Sequence, residues 1–165
     1  MATKNTVSKP PVNKTKEIHV ECKPDELLVS KLGFTRKSVT HHTGKSRVFH
    51  KLKQSQHVLA LVDEDPGSPK TTYEKTLQLV HNINGIQCYV DKRQNKVAIL
   101  TIKLEDWIIW VCKQADIALT KFGLPAKPNT LHEVINQRLT KFEQLIDALL
   151  QSNNESLKSL DDWLS

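Results

Sequence analysis

The stretch His57-Val-Leu-Ala-Leu-Val62 runs straight into Asp63-Glu64-Asp65-Pro66-Gly67-Ser68-Pro69. A short apolar run without alternation fits a strand covered on both faces, as in a parallel sheet with helices on either side. The abrupt change to acids, prolines and glycine marks a loop at the carboxyl end of that strand. Upstream, Glu17-Ile-His-Val-Glu21 reads as a second short strand, and Lys23-Pro24-Asp25-Glu26 opens a helix with Pro and acids in its first turn. Leu27, Leu28, Val29 and Leu32 give that helix its apolar face, and Gly33 ends it. Val39-Thr-His-His-Thr43 is a further strand, followed by Gly44 and a helix over 45–54.

Downstream of the acidic loop, a helix is expected over 71–82, then strands over 86–90 and 96–102. From Leu104 the pattern is helical, with Leu104, Trp107, Ile108, Val111 and Ala115 on one face. Gly123, Pro125 and Pro128 interrupt it. One long helix is expected over 130–151, and a short amphipathic one over 155–164. Alternating strands and helices followed by helices alone predict an α/β fold: a mostly parallel sheet flanked by helices, with a helical C-terminal subregion from about residue 104. Residues 17–165 are expected to form a single domain and residues 1–16 a flexible basic tail.

The 165 residues carry a net charge of +6, to which Lys4, Lys9, Lys14 and Lys16 contribute four positive charges. A basic tail of this kind fits a nucleic-acid tether and fits a solubilising leader equally well. No apolar run approaches the roughly 20 residues of a membrane span, and the N-terminus lacks the apolar core of a secretory signal. Cys22, Cys88 and Cys112 stand far apart with no paired spacing, which argues for a reducing, cytoplasmic setting over a disulfide framework or a structural zinc site.

In open sheets of this kind, ligands bind outside the carboxyl ends of the strands, where Glu21, Asp63 and Asp65 fall. In an extended chain Asp63 and Asp65 project to the same side, roughly 7 Å apart. Three converging carboxylates repel one another unless protonated or bridged by a cation, and a hard ion such as Mg2+ meets that need with few protein ligands. The other reading is a solvated loop of turn-favouring acids. Glu105 and Asp106 follow the last strand, either as acids stabilising a helix N-terminus or, for one of them, as an added ligand. Gly44-Lys45-Ser46-Arg47 opens a helix and suits either a phosphate contact or an exposed basic turn. A true phosphate-binding loop is excluded because Val39 stands where its first glycine belongs. A calcium loop over 63–74 fails because Ser68 occupies the central glycine position. His41, His42, His50 and His57 are not at helix-face metal spacing.

The order of these features resembles the TOPRIM domain of primases, topoisomerases, recombination-mediator proteins and OLD-type nucleases. Ile18-His-Val-Glu21 matches the Glu at the end of that family's first strand, and Leu61-Val-Asp63-Glu64-Asp65 its Asp-x-Asp after the third. Leu104-Glu105-Asp106-Trp107 is similar to the acidic segment of the small stand-alone and OLD-like branches. The resemblance implies Glu21 as general acid/base or metal ligand, with Asp63 and Asp65 holding Mg2+ (or Mn2+) during phosphodiester cleavage. Glu105 would be a further metal ligand, and Lys45, Arg47 and Lys103 the nucleic-acid contacts. Cys22 departs from the family, which has Gly there, and would crowd an approaching phosphate. The expectation is thus a metal-dependent nuclease or nucleic-acid-processing protein acting on DNA or RNA, with a possible protein partner. The alternative is a catalytically silent module of the same fold that binds nucleic acid or protein. A receiver-like phosphoacceptor would require an acidic pair where Glu21-Cys22 stands.

Overall fold

The computed structural model describes residues 13–165. Six strands form one sheet in the order β2-β1-β3-β6-β5-β4. These are β1 (Ile18–Val20), β2 (Val39–His41), β3 (Leu59–Asp63), β4 (Gln78–Ile83), β5 (Ile86–Val90) and β6 (Lys96–Leu100). β1, β2, β3 and β6 run parallel, and β5 is antiparallel to both of its neighbours. The mostly parallel α/β sheet predicted from the sequence is therefore present. Among the described residues no helix is long and apolar enough to cross a membrane.

β3 shows why its sequence is an unbroken apolar run. Leu59 and Leu61 pack into one cluster, with Ile18 and Val20 of β1 and the helices α1 (Lys23–Lys31) and α4 (Leu104–Gln114). Ala60 and Val62 point the other way, against Val48, Phe49 and Leu52 of α2 (Lys45–Lys53). Each face is dry, so period-2 alternation is absent. Cys88 and Cys112 are buried in the larger cluster. His19, central in β1, is also fully buried, with its Nδ1 2.8 Å from His42 Nε2.

Two expected elements are corrected. The helix over 71–82 stops early: α3 spans only Thr72–Thr76, and β4 follows. Asn84 and Gly85 have φ of 52° and 74°, the left-handed pair of a tight β-hairpin turn, and Asn-Gly favours that turn strongly enough to convert the preceding residues into a strand. Trp107 Nε1 donates to Asn84 O at 2.9 Å and fixes the turn against α4. The single helix over 130–151 is two: α5 (Pro128–Val134) and α6 (Leu139–Gln151), separated by a 3-10 turn and by Arg138 at φ −125°. Phe142, Leu145, Ile146 and Leu149 bury the inner face of α6 in the larger cluster, beside α1. On the exposed side Lys31 bridges Glu143 and Asp147. Asn154 caps α7 (Glu155–Trp163) by accepting from the amides of Ser156 and Leu157.

The folded unit reaches back to Lys14, earlier than the expected boundary at residue 17. The Lys14 amide donates to Gly33 O, its carbonyl accepts from Thr35, and its ammonium pairs with Asp161. The rest of the expected tail, residues 1–12, lies outside the described residues.

Gly85 gives a direct test of the hairpin. A Cβ there would stand 2.9 Å from the Trp107 ring at a backbone angle that disfavours L side chains. Gly85→Ala should cost about 2 kcal/mol, read as a lower urea midpoint with unchanged slope. Unchanged stability would contradict the turn geometry.

Candidate metal centre

Glu21 follows β1 and Asp63 closes β3, so neighbouring parallel strands bring them together at their carboxyl ends. Glu21 Oε1 accepts the backbone N–H of Asp63 at 2.9 Å. Asp63 Oδ1 in turn accepts the N–H of Leu104 at 2.9 Å, satisfying one of the open donors at the start of α4. Each carboxylate spends one oxygen on a backbone amide and keeps the other.

Beyond Asp63 the chain keeps pairing with the end of β6 and the segment after it, through Glu64 N to Leu100 O and Asp65 N to Ile102 O. Asp65 then turns at φ 47°, so the fully extended path expected from Asp63 to Asp65 is not kept. Its charge still acts on both Glu21 and Asp63. Asp65 also lines an open cleft of about 640 Å³ with Glu64, Leu77, Gln87, Tyr89 and Ile99.

Sequence reasoning assigned Asp25 only to the helix dipole. It is 1% exposed, and neither carboxylate oxygen has a hydrogen-bond partner of normal geometry. The signal was available: Asp25, Leu28, Val29 and Leu32 recur at the spacing of one buried helix face. Burial raises the Asp25 carboxyl, opposed by the Cys22 thiol beside it and reinforced by the charges of Glu21 and Glu105. Burial, then the charges of Asp25, Glu21, Glu105 and Asp65, raises Asp63 as well. Glu21 is pushed up to about 7, by burial first, against the bond from the Asp63 amide. Burial also drives the Cys22 thiol far upward, so it stays un-ionised against Asp25.

Glu105 is buried in the first turn of α4 and lies 3.0 Å from His132 Nδ1. It thus joins the acidic cluster electrostatically and is held by His132, which no local sequence signal singles out. Asp106 leaves Oδ2 buried without a partner.

The expected basic contacts are not brought together. Lys45 donates to Asp63 O at 2.9 Å and Glu64 O at 2.8 Å, and reaches Glu74 Oε1 at 3.3 Å. All three ammonium donors are engaged, so Lys45 clamps the acidic loop and has none left for a phosphate. Arg47 is exposed on α2, whereas Lys103 precedes α4 on the other face of the sheet.

The donor set is all carboxylate, the chemistry a hard divalent cation prefers, and the orphaned oxygens of Asp25 and the raised carboxyls mark a local excess of negative charge. Among the described residues no three such side chains stand close enough to chelate one ion directly. An ion bound here would have to take one or two carboxylates and retain waters, as Mg2+ does. No protein-family model, curated protein or solved structure matches this chain.

The raised Glu21 carboxyl sets a pH dependence. Below pH 4.5 both folded and unfolded chains hold its proton; between 4.5 and about 7 only the folded chain does. The folded state is thus favoured at low pH by this group, and that advantage is lost as pH rises through about 7. Metal-free protein should lose stability across this window relative to Glu21→Gln, in urea denaturation at matched pH. Millimolar Mg2+ should restore the wild type at the upper end. Parallel pH profiles for wild type and variant would refute the assignment.

Proposed function

We propose that this chain is a TOPRIM-like, divalent-cation-dependent protein that processes phosphodiester bonds in nucleic acid. The reading rests on one observation above all: Glu21 and Asp63 are joined by a direct hydrogen bond at the ends of adjacent parallel strands, with Asp65 beside them at the mouth of a cleft. Mg2+ or Mn2+ held there would neutralise charge on phosphate oxygens and make a bound water more acidic. Asp63 and Asp65 offer the carboxylates, directly or through water. Glu21, with a carboxyl near 7, is suited to accept or return a proton at neutral pH. The cleft lined by Glu64 and Asp65 would give a substrate an approach to the Asp65 carboxylate. The Cys22 thiol lies against Asp25, beside the acids rather than exposed at the loop. The unpaired cysteines support a reducing, cytoplasmic setting.

The alternative is a module that binds nucleic acid or a protein partner without turnover, and the three expected basic contacts favour its protein-binding form. Lys45 is fully engaged, and Arg47 and Lys103 lie on opposite faces, so these three build no continuous phosphate track.

Single- and double-stranded DNA and RNA, incubated with Mg2+ or Mn2+, separate the two. Cleavage should fall at least roughly tenfold to a hundredfold in Asp63→Ala and in Asp65→Asn, the second being free of the α4 contact. Binding without cleavage selects the silent module. Cleavage that survives both substitutions rules the site out.

A further inference from the structure

From Leu27 to Val62 the chain has no Asp or Glu, yet it carries seven Lys and Arg. The net charge of the whole chain is +6, so this one segment holds all of the excess and leaves −1 for the remainder. α2 lies within it and sorts its residues by face. Val48, Phe49 and Leu52 are buried with Ala60 and Val62 of β3. Arg47, His50, Lys51 and Gln54 recur at i, i+3, i+4 and i+7 on the opposite side, and all four are exposed. Burial, then the charges of His41, Lys51 and Arg47, lowers the His42 imidazole, so the cations of this stripe reach across to the end of β2.

At the other end of α2 the turn between β5 and β6 extends the stripe. Lys53, Lys92 and Arg93 surround an open pocket of about 190 Å³ with Tyr73 and Thr76 on its wall. The one acid there, Asp91, accepts from the Tyr73 hydroxyl, the amides of Arg93 and Asn95 and the Asn95 side chain, all neutral donors. Among the described residues Arg47, Lys51, Lys53, Lys92 and Arg93 enter no ion pair. Buried Asn95 also donates to Leu52 O at 3.0 Å and Ser55 O at 3.1 Å, which locks the turn to the end of α2. The backbone that carries these cations is thus set before any ligand arrives.

We propose that this face, from Arg47 along α2 to Lys53, Lys92 and Arg93, binds the phosphate backbone of nucleic acid without reading its sequence. The ligand class rests on the function proposed above, whereas the surface itself stands on its charge and does not involve the acidic centre. Neighbours on a helix face stand about 5–6 Å apart, close to the spacing of successive phosphates along a strand. Neutralising those phosphates releases counterions, which drives binding of this kind. A protein partner would need an apolar or aromatic anchor, and none of the exposed large apolar side chains among the described residues lies on α2 or the 91–95 turn. A membrane surface fits less well for the same reason: the apolar side chains of α2 face the core and leave nothing to insert. α2 starts where Lys45 clamps the acidic loop, so a backbone held along it leads toward the acidic centre.

Anisotropy of a fluorescent oligonucleotide, single strand and duplex, measured in EDTA tests the surface apart from any cleavage. Kd should be on the order of 1–100 μM near physiological salt, and log K should fall against log salt with a slope of about −4. Arg47→Gln with Lys51→Gln, and separately Lys92→Gln with Arg93→Gln, should each weaken binding at least about tenfold and flatten the slope by about 2. Lys113→Gln with Lys158→Gln, exposed on helices of the other layer, changes the net charge equally and should leave binding within about twofold. Circular dichroism confirms that each variant is folded. A wild type that does not bind, binding unmoved by either pair, or a control pair that weakens it as much overturns the proposal. Capture by anionic lipid vesicles without oligonucleotide binding overturns it in favour of a membrane. Oligonucleotide binding that follows the α2 and turn pairs, with no cleavage when Mg2+ is added, upholds the surface and removes the nuclease reading.

Discussion

The backbone and side chain of Asp63 together hold four elements in place. Its N–H binds the Glu21 carboxylate after β1, its carboxylate binds the first amide of α4, and its carbonyl receives the Lys45 ammonium from α2. A residue at the end of β3 thereby ties the neighbouring strand and a helix from each face of the sheet. These bonds are made by partly buried polar groups, so removing any partner leaves another unsatisfied at a cost of roughly 1–3 kcal/mol. The acidic centre is thus built into the framework rather than hung on a loose loop.

That construction concentrates negative charge where water is scarce. Asp25 has no hydrogen-bond partner of normal geometry for either oxygen, and Glu21, Asp63 and Glu105 stand close enough to raise one another or their neighbours. Uncompensated buried acids are costly, so the cluster carries an electrostatic strain that protonation relieves. A bound cation would relieve it in the same way, displacing the protons. Lys45 clamps two carbonyls of the acidic loop, and its charge partly offsets the burial that raises Glu21.

Much of this was legible in the sequence where one local signal dominated. The unbroken apolar run of β3 announced a strand covered on both faces, and the acids after it announced the carboxyl-end loop. The 71–82 region was misread because Leu77, Leu79 and Val80 suit a helix or a strand, and the Asn84-Gly85 turn that decides between them was given no weight. The split of α5 from α6 has no breaker residue; Arg138 adopts a non-helical angle while Leu131, Ile135 and Phe142 all enter the core. Lys45 and Glu105 were found as positions but not as roles, because a partner at long sequence separation, Glu74 or His132, is set by the tertiary fold alone. Trp107, placed on the apolar face of its helix by the sequence, is buried in the core, whereas Trp110 of the same helix remains at the surface.

Titration of the protein with Mg2+, followed by NMR of the side-chain carboxyl carbons, tests the cation site most directly. The account predicts saturable shifts confined to the cluster, at Glu21, Asp63 and Asp65, with the Glu21 midpoint falling from about 7 in the metal-free protein. Shifts spread evenly over the surface acids, or a Glu21 carboxyl that titrates in the ordinary range and ignores Mg2+, would contradict it.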